Sequence, residues 1–231
     1  MKVLARIVVA AITLGVGSHA WAQTVILSCE EPEASALRAA PLGATRASER
    51  LTVNWAHGST VFTDSGTKEG YIGGTGYLYC GFNATVGLHL IHKTIEDEWT
   101  GILLDHATGK ILPAGEQVSF APLGTRYFAA THENGLAVEK WYIYARDGSL
   151  LWKALAGMSE RHPSADYEYI VATLSQPRWG PNGEFQATLT CAIGPAKPPT
   201  AVTLTRQSDG WVWLPKVSCP KARLTGATAG H

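Results

Sequence analysis

Residues 118–153 constrain the fold more than any other stretch, because apolar and polar side chains alternate there and the chain reverses three times. Trp141, Ile143 and Ala145 fall on one side of a strand, and Lys140, Tyr142, Tyr144 and Arg146 on the other. The first reversal, Phe120-Ala121-Pro122-Leu123-Gly124, pairs a proline that presets φ with a glycine two residues later, the signal of a type I or type II turn. Asn134-Gly135 and Asp147-Gly148 are dipeptides of two-residue hairpins, whose central residues both take φ > 0. The stretch therefore predicts an antiparallel meander of four short strands. Such a meander is not stable alone and needs neighbours of its own kind.

A second copy follows. Trp179-Gly180-Pro181-Asn182-Gly183 repeats the pattern of an aromatic, a small residue, proline, any residue and glycine. Strands are expected after it at residues 185–191, 201–206 and 211–214, with Asp209-Gly210 as the last turn. Trp55-Ala56-His57-Gly58 reads as a degenerate third copy. Further strands are expected at residues 24–29, 51–56, 59–63, 77–80, 87–92, 99–105 and 167–174. Residues 33–40 read as two helical turns after Pro32, and residues 41–50, 64–76 and 154–165 as connections. Repeats at this spacing point to arrays in which each unit buries its face on the next.

The Phe120–Gly124 and Trp179–Gly183 segments resemble the Phe-Ser-Pro-Asp-Gly signature of TolB-type β-propeller repeats. Asp105-His106-Ala107-Thr108-Gly109-Lys110 is similar to the Asp-x-x-Thr-Gly-Lys outer hairpins of bacterial propellers. The resemblance implies a propeller-like all-β chain that binds or scaffolds, and it brings no catalytic residues. At about 40–50 residues per blade the chain holds four or five blades. The alternative that uses the same strands is a β-sandwich stapled by disulfides.

Residues 1–22 read as a signal peptide. Lys2 and Arg6 form a basic start, residues 7–16 an apolar run, and Ala20-Trp21-Ala22 a cleavage site, so the expected mature chain is one β-rich domain at residues 23–231. No later apolar run is long enough to span a bilayer as a helix. The formal net charge is zero, with no basic cluster, which argues against a nucleic-acid partner. Cys29, Cys80, Cys191 and Cys219 all lie past the leader, and an even count in an exported chain reads as two disulfides. Sequence leaves three pairings open and leans towards Cys29–Cys80 with Cys191–Cys219. The expected location is the periplasm or the outside of the cell.

Candidate chemistry is sparse. His89, His106 and His132 are the imidazoles that would hold a metal if they met in space, although the reading without a metal or any other cofactor is preferred. On a strand His89 and His92 point to opposite faces. No G-x-S-x-G elbow and no phosphate loop occurs. The Glu96-Asp97-Glu98 run reads as a charged hairpin tip. All the tryptophans except Trp21 lie past the leader. Tyr142 with Tyr144, and Trp211 with Trp213, share strand faces and are the candidate binding aromatics for a protein or glycan. The resulting expectation is an exported, non-catalytic binding or scaffolding protein of the bacterial envelope. The alternatives are an envelope hydrolase built on His89, His92, Asp105, His106 and Glu133, or an inhibitor of a secreted enzyme that uses the 64–76 loop as a wedge.

Overall fold

A computed structural model describes residues 24–40, 43–66, 74–95, 98–132, 138–161, 168–193 and 197–219. The leader expected at residues 1–22 lies outside them. The chain opens with β1 (Val25–Ser28) and a short helix α1 (Glu33–Ala39) entered from Pro32. β2 (Ala44–Ala47), β3 (Arg50–Trp55) and β4 (Gly58–Thr63) form a three-stranded sheet. β5 (Thr75–Asn83), β6 (Leu88–Ile95), β7 (Glu98–Asp105) and β8 (Ile111–Ala114) form a four-stranded one. β9 (Gln117–Phe120), β10 (Arg126–Thr131), β11 (Lys140–Ala145) and β12 (Leu150–Leu155) make the third sheet, and β1 returns to pair with the free edge of β9. β13 (Gly157–Arg161), β14 (Glu168–Trp179), β15 (Phe185–Cys191), β16 (Thr200–Gln207) and β17 (Gly210–Leu214) make the fourth. The pairings within these sheets are antiparallel. The molecule is thus an all-β succession of meanders.

The expected meander at residues 118–153 is β9 to β12, and its echo is β14 to β17. The two proline turns occupy equivalent places, between the first and second strands of each unit. Gly124 N–H donates to the Ala121 carbonyl at 2.8 Å, and Gly183 N–H to the Gly180 carbonyl at 3.0 Å. Phe120 then pairs with Tyr127 and Trp179 with Phe185, and each pair packs ring on ring. Glycine turns likewise join the last two strands of the second, third and fourth sheets, at Gly109, Gly148 and Gly210, each with positive φ. One turn differs from its expectation. Asp147 keeps negative φ and Gly148 N–H donates to the Ala145 carbonyl, so Arg146 to Gly148 form a type I turn with a glycine bulge. Asn134-Gly135 lies outside the described residues.

Two expected connections are strands. β2 sits within residues 41–50, where Ala44 is buried against the first core and the backbone pairs with β3. β13 sits within residues 154–165 and pairs with β14, which itself runs on to Trp179. Neither stretch is rich in β-branched residues, and both are recruited by a stronger neighbouring strand. Trp55-Ala56-His57-Gly58 is the β3–β4 turn.

The sheets pack face to face in chain order, and each boundary has its own core. Leu51, Val53 and Phe62 meet Tyr79, Ile91 and Leu104 between the first and second sheets. Leu88, Leu90 and Leu103 meet Val118, Phe120 and Tyr127 between the second and third. Phe128, Trp141 and Ile143 meet Trp179, Phe185 and Leu189 between the third and fourth. Both faces of β6 and β10 are therefore covered, and each fully buried large side chain contributes about 2 kcal/mol. Among the described residues no core joins the first sheet to the fourth.

An arginine crosses each boundary at its rim. Arg46 binds Glu33 at 2.8 Å, Asp64 at 2.9 Å and the Tyr77 carbonyl. Arg146 donates to the Val86 carbonyl at 2.7 Å and to Asp105 at 3.3 Å. Arg126 donates to the Gly183 carbonyl at 2.8 Å and lies over the Trp179 ring. The disulfides are Cys29–Cys80, which ties the end of β1 to β5, and Cys191–Cys219, which ties β15 to the segment after β17. Among the described residues no helix is long and apolar enough to cross a membrane.

Candidate functional site

Glycine brings the second and third sheets together at one end. A Cβ on Gly101 would overlap the Gly115 carbonyl oxygen, and one on Gly115 would overlap that of Ala130, so only glycine permits this approach. Glu116 N–H donates to the Ala130 carbonyl at 3.1 Å. Just beyond, Trp99 of β7 and His132 after β10 pair as an isolated antiparallel bridge. Between these contacts lies a cavity of about 500 Å³ lined by Trp99, Glu116, Gln117, Ala130, Thr131, His132 and Glu139.

Its polar groups are not all used by the fold. One carboxylate oxygen of Glu139 accepts from the Trp141 indole N–H at 2.9 Å. Oε1 of Glu116 is buried and has no hydrogen-bond partner among the described residues. Burial pushes the Glu116 carboxyl up, the neighbouring Glu139 charge pushes it further, and His132 partly opposes them. The Trp99 side chain is 51 % exposed, which is high for so large an apolar group. Its ring is met by His92, edge to face at 5.6 Å between centroids. The cavity thus combines an aromatic face with two acidic side chains.

His92 also lines a second cavity of about 620 Å³, on the side of Arg46, Glu33 and Asp64. Two of its acidic side chains are already tied to the fold. Glu33 accepts from Arg46 and from the Tyr79 N–H at 2.8 Å, and Asp64 accepts from Arg46 and from the Tyr77 N–H at 2.9 Å. Among the described residues, Nε2 of His92 is buried without a partner, and burial lowers the pKa of that imidazole. This network reads as a joint between α1, β2, β4 and β5.

The residues singled out from sequence are dispersed. His89 and His106 do meet, with Nε2 and Nδ1 3.1 Å apart, and the Tyr79 hydroxyl lies 2.9 Å from Nδ1 of His89. His132 belongs instead to the Trp99 cavity. Among the described residues no three His, Cys, Asp or Glu side chains are placed to hold a metal. Asp105 accepts from the Ala107 and Thr108 N–H groups, from the Thr108 hydroxyl and from Arg146, which hold its carboxyl below the usual range against the cost of burial. It is a turn residue tied to the fold. Glu133, Glu96 and Asp97 lie outside the described residues, as do residues 67–73 of the expected wedge loop.

The aromatic candidates are partly spent on packing. Tyr144 stacks on Tyr127 and on Tyr142, and its ring lies against the second core. Trp211 donates its indole N–H to the Leu151 carbonyl at 3.1 Å, and Trp213 meets Trp152 and Phe185. All four are half-buried. Trp99, Glu116 and Glu139 were not singled out from sequence. Trp99 sits on β7 and Glu116 on the connection between β8 and β9, and the glycine approach brings them to one cavity. Searches with this chain match no protein-family model, no curated protein and no solved structure.

Proposed function

We propose that this is an exported, non-catalytic binding module of the bacterial envelope, which takes its protein or glycan ligand in the Trp99 cavity. The observation that carries the reading is that a large indole stands half exposed on a cavity lined by two carboxylate side chains, Glu116 and Glu139. Large exposed aromatics beside convergent polar groups are characteristic of binding sites. Two disulfides suit an oxidising compartment, in keeping with export to the periplasm or beyond. The scaffold is read as an open arc of propeller-type blades. Support comes from the equivalent proline and glycine turns of successive sheets. A sandwich reading uses the same face-to-face packing and differs in treating two adjacent sheets as the unit.

The test compares mature wild-type protein with Trp99→Ala and with the Tyr142→Ala, Tyr144→Ala double variant, each checked for folding. Envelope proteins and glycan arrays supply the ligands. Loss of a saturable interaction in Trp99→Ala alone supports the cavity, and loss in the tyrosine variant alone moves the site to β11. A hydrolase reading attaches to the same cavity, because the pair Glu116 and Glu139 holds one carboxyl protonated above its usual range. Turnover of cell-wall glycans that Glu116→Gln abolishes would replace the binding proposal.

A further inference from the structure

We propose that the Trp99 cavity recognises a positively charged side chain, a lysine ammonium or an arginine guanidinium, presented by a partner polypeptide. The inference rests on the reading that this cavity is the binding site, and it names the ligand chemistry.

Charge is the first argument. Two carboxylate side chains, Glu116 and Glu139, line the cavity, and no lysine or arginine does among the described residues. Like charges held near each other in a partly buried site cost free energy that a bound cation removes. Hydrogen bonding is the second. Oε1 of Glu116 is covered and has no partner among the described residues, so the fold leaves the acceptor capacity of this carboxylate unmet. Ammonium and guanidinium groups carry donors and the matching charge together. The third is Trp99, which is 51 % exposed and is held by the edge-to-face contact with His92 and along its backbone by the bridge to His132. An indole face held in place is the best side-chain surface for a cation. A cavity of about 500 Å³ admits one long side chain and its adjoining backbone.

A neutral sugar would supply donors and stack on Trp99, but it would leave the Glu116–Glu139 repulsion in place. Among the described residues no three His, Cys, Asp or Glu side chains, the cavity's Glu116, His132 and Glu139 included, are placed to hold a metal ion.

The experiment follows the Trp99 indole N–H resonance of the mature protein, assigned with Trp99→Phe. The probes are short peptides carrying one arginine or lysine, the same peptides with citrulline or acetyl-lysine, and a neutral chito-oligosaccharide. The cationic peptides are expected to shift Trp99 saturably. Their neutral counterparts, and wild-type ligand on Glu116→Gln, are each expected to bind at least about tenfold more weakly. Equal affinity for charged and neutral peptides, or full affinity in Glu116→Gln, overturns the inference. If the oligosaccharide alone moves Trp99, the cavity stands as the site and the charge proposal falls. If no probe moves it, both fall.

Discussion

His89 and His106 face each other ring nitrogen to ring nitrogen at 3.1 Å, so a single hydrogen lies between them. When the Tyr79 hydroxyl donates to Nδ1 of His89, Nε2 of His89 carries the proton and donates to Nδ1 of His106. Phe82 covers both rings. His89 is 1 % exposed, and burial, aided by His106, lowers its pKa to about 4 from an ordinary 6.5.

A pH dependence follows. The unfolded chain takes up a proton near the ordinary imidazole value, while folded His89 stays neutral until about pH 4. Its contribution is therefore complete above the unfolded pKa and is lost as pH falls towards the folded one, a change of about 3 kcal/mol. Urea unfolding at pH 7.5 and pH 4.5 should show this loss in the wild type and a smaller one in His89→Gln. An unchanged slope in the variant would assign the dependence to other groups.

Gly115 should tolerate no side chain. Its missing Cβ lets the chain pass against the Ala130 carbonyl, and backbone has no rotamer with which to give way. Gly115→Ala is expected to destabilise by about 3 kcal/mol or more and to displace the Trp99–His132 bridge. Denaturant melts and the Trp99 indole resonance check the two effects separately.

Leu123 offers the opposite case. It sits at the third position of the Ala121–Gly124 turn with φ 77°, a left-handed conformation that favours glycine or asparagine, and its side chain is 88 % exposed. Replacing it gives up little packing. Leu123→Gly or Leu123→Asn is expected to stabilise by about 1 kcal/mol, a rise in Tm of about 2–4 °C for a domain of this size. A lower Tm in both variants would show that the leucine is needed.

Arg46 holds Glu33, Asp64 and a backbone carbonyl at once. Its side chain is 16 % exposed, so solvent screens these pairs only in part. Arg46→Met, which leaves both carboxylates unmatched, is expected to cost about 2–3 kcal/mol. Arg46→Lys keeps the charge without the two-pronged contact to Glu33 and should cost less. Chemical denaturation ranks the three proteins.

The third and fourth sheets were legible because their turns carry specific chemistry. Pro122-Leu123-Gly124, Pro181-Asn182-Gly183 and Asp209-Gly210 state where the chain reverses, whatever surrounds them. β2 and β13 were not, since Ala44–Ala47 and Gly157–Arg161 take their conformation from β3 and β14. Strand alternation placed Trp141 and Ile143 together in one core, as they are. It left the opposite face, with Tyr142 and Tyr144, open to a partner, whereas Tyr144 leans on the next sheet. The cavity stayed hidden for a related reason. Trp99, Glu116 and Glu139 are far apart in the chain, and their meeting depends on which sheet lies on which and on Gly101 and Gly115 clearing the way.

The separate hydrophobic boundaries make this molecule resemble the leaves of a bound book more than a ball with one centre. A fault in one leaf disturbs the leaf it touches and no farther, so mutations at the Phe62 end and at the Trp213 end should accumulate independently. Lineages could thus reshape the outermost leaves for new neighbours while the middle pair, which carries the indole and its two acids, stays as it is.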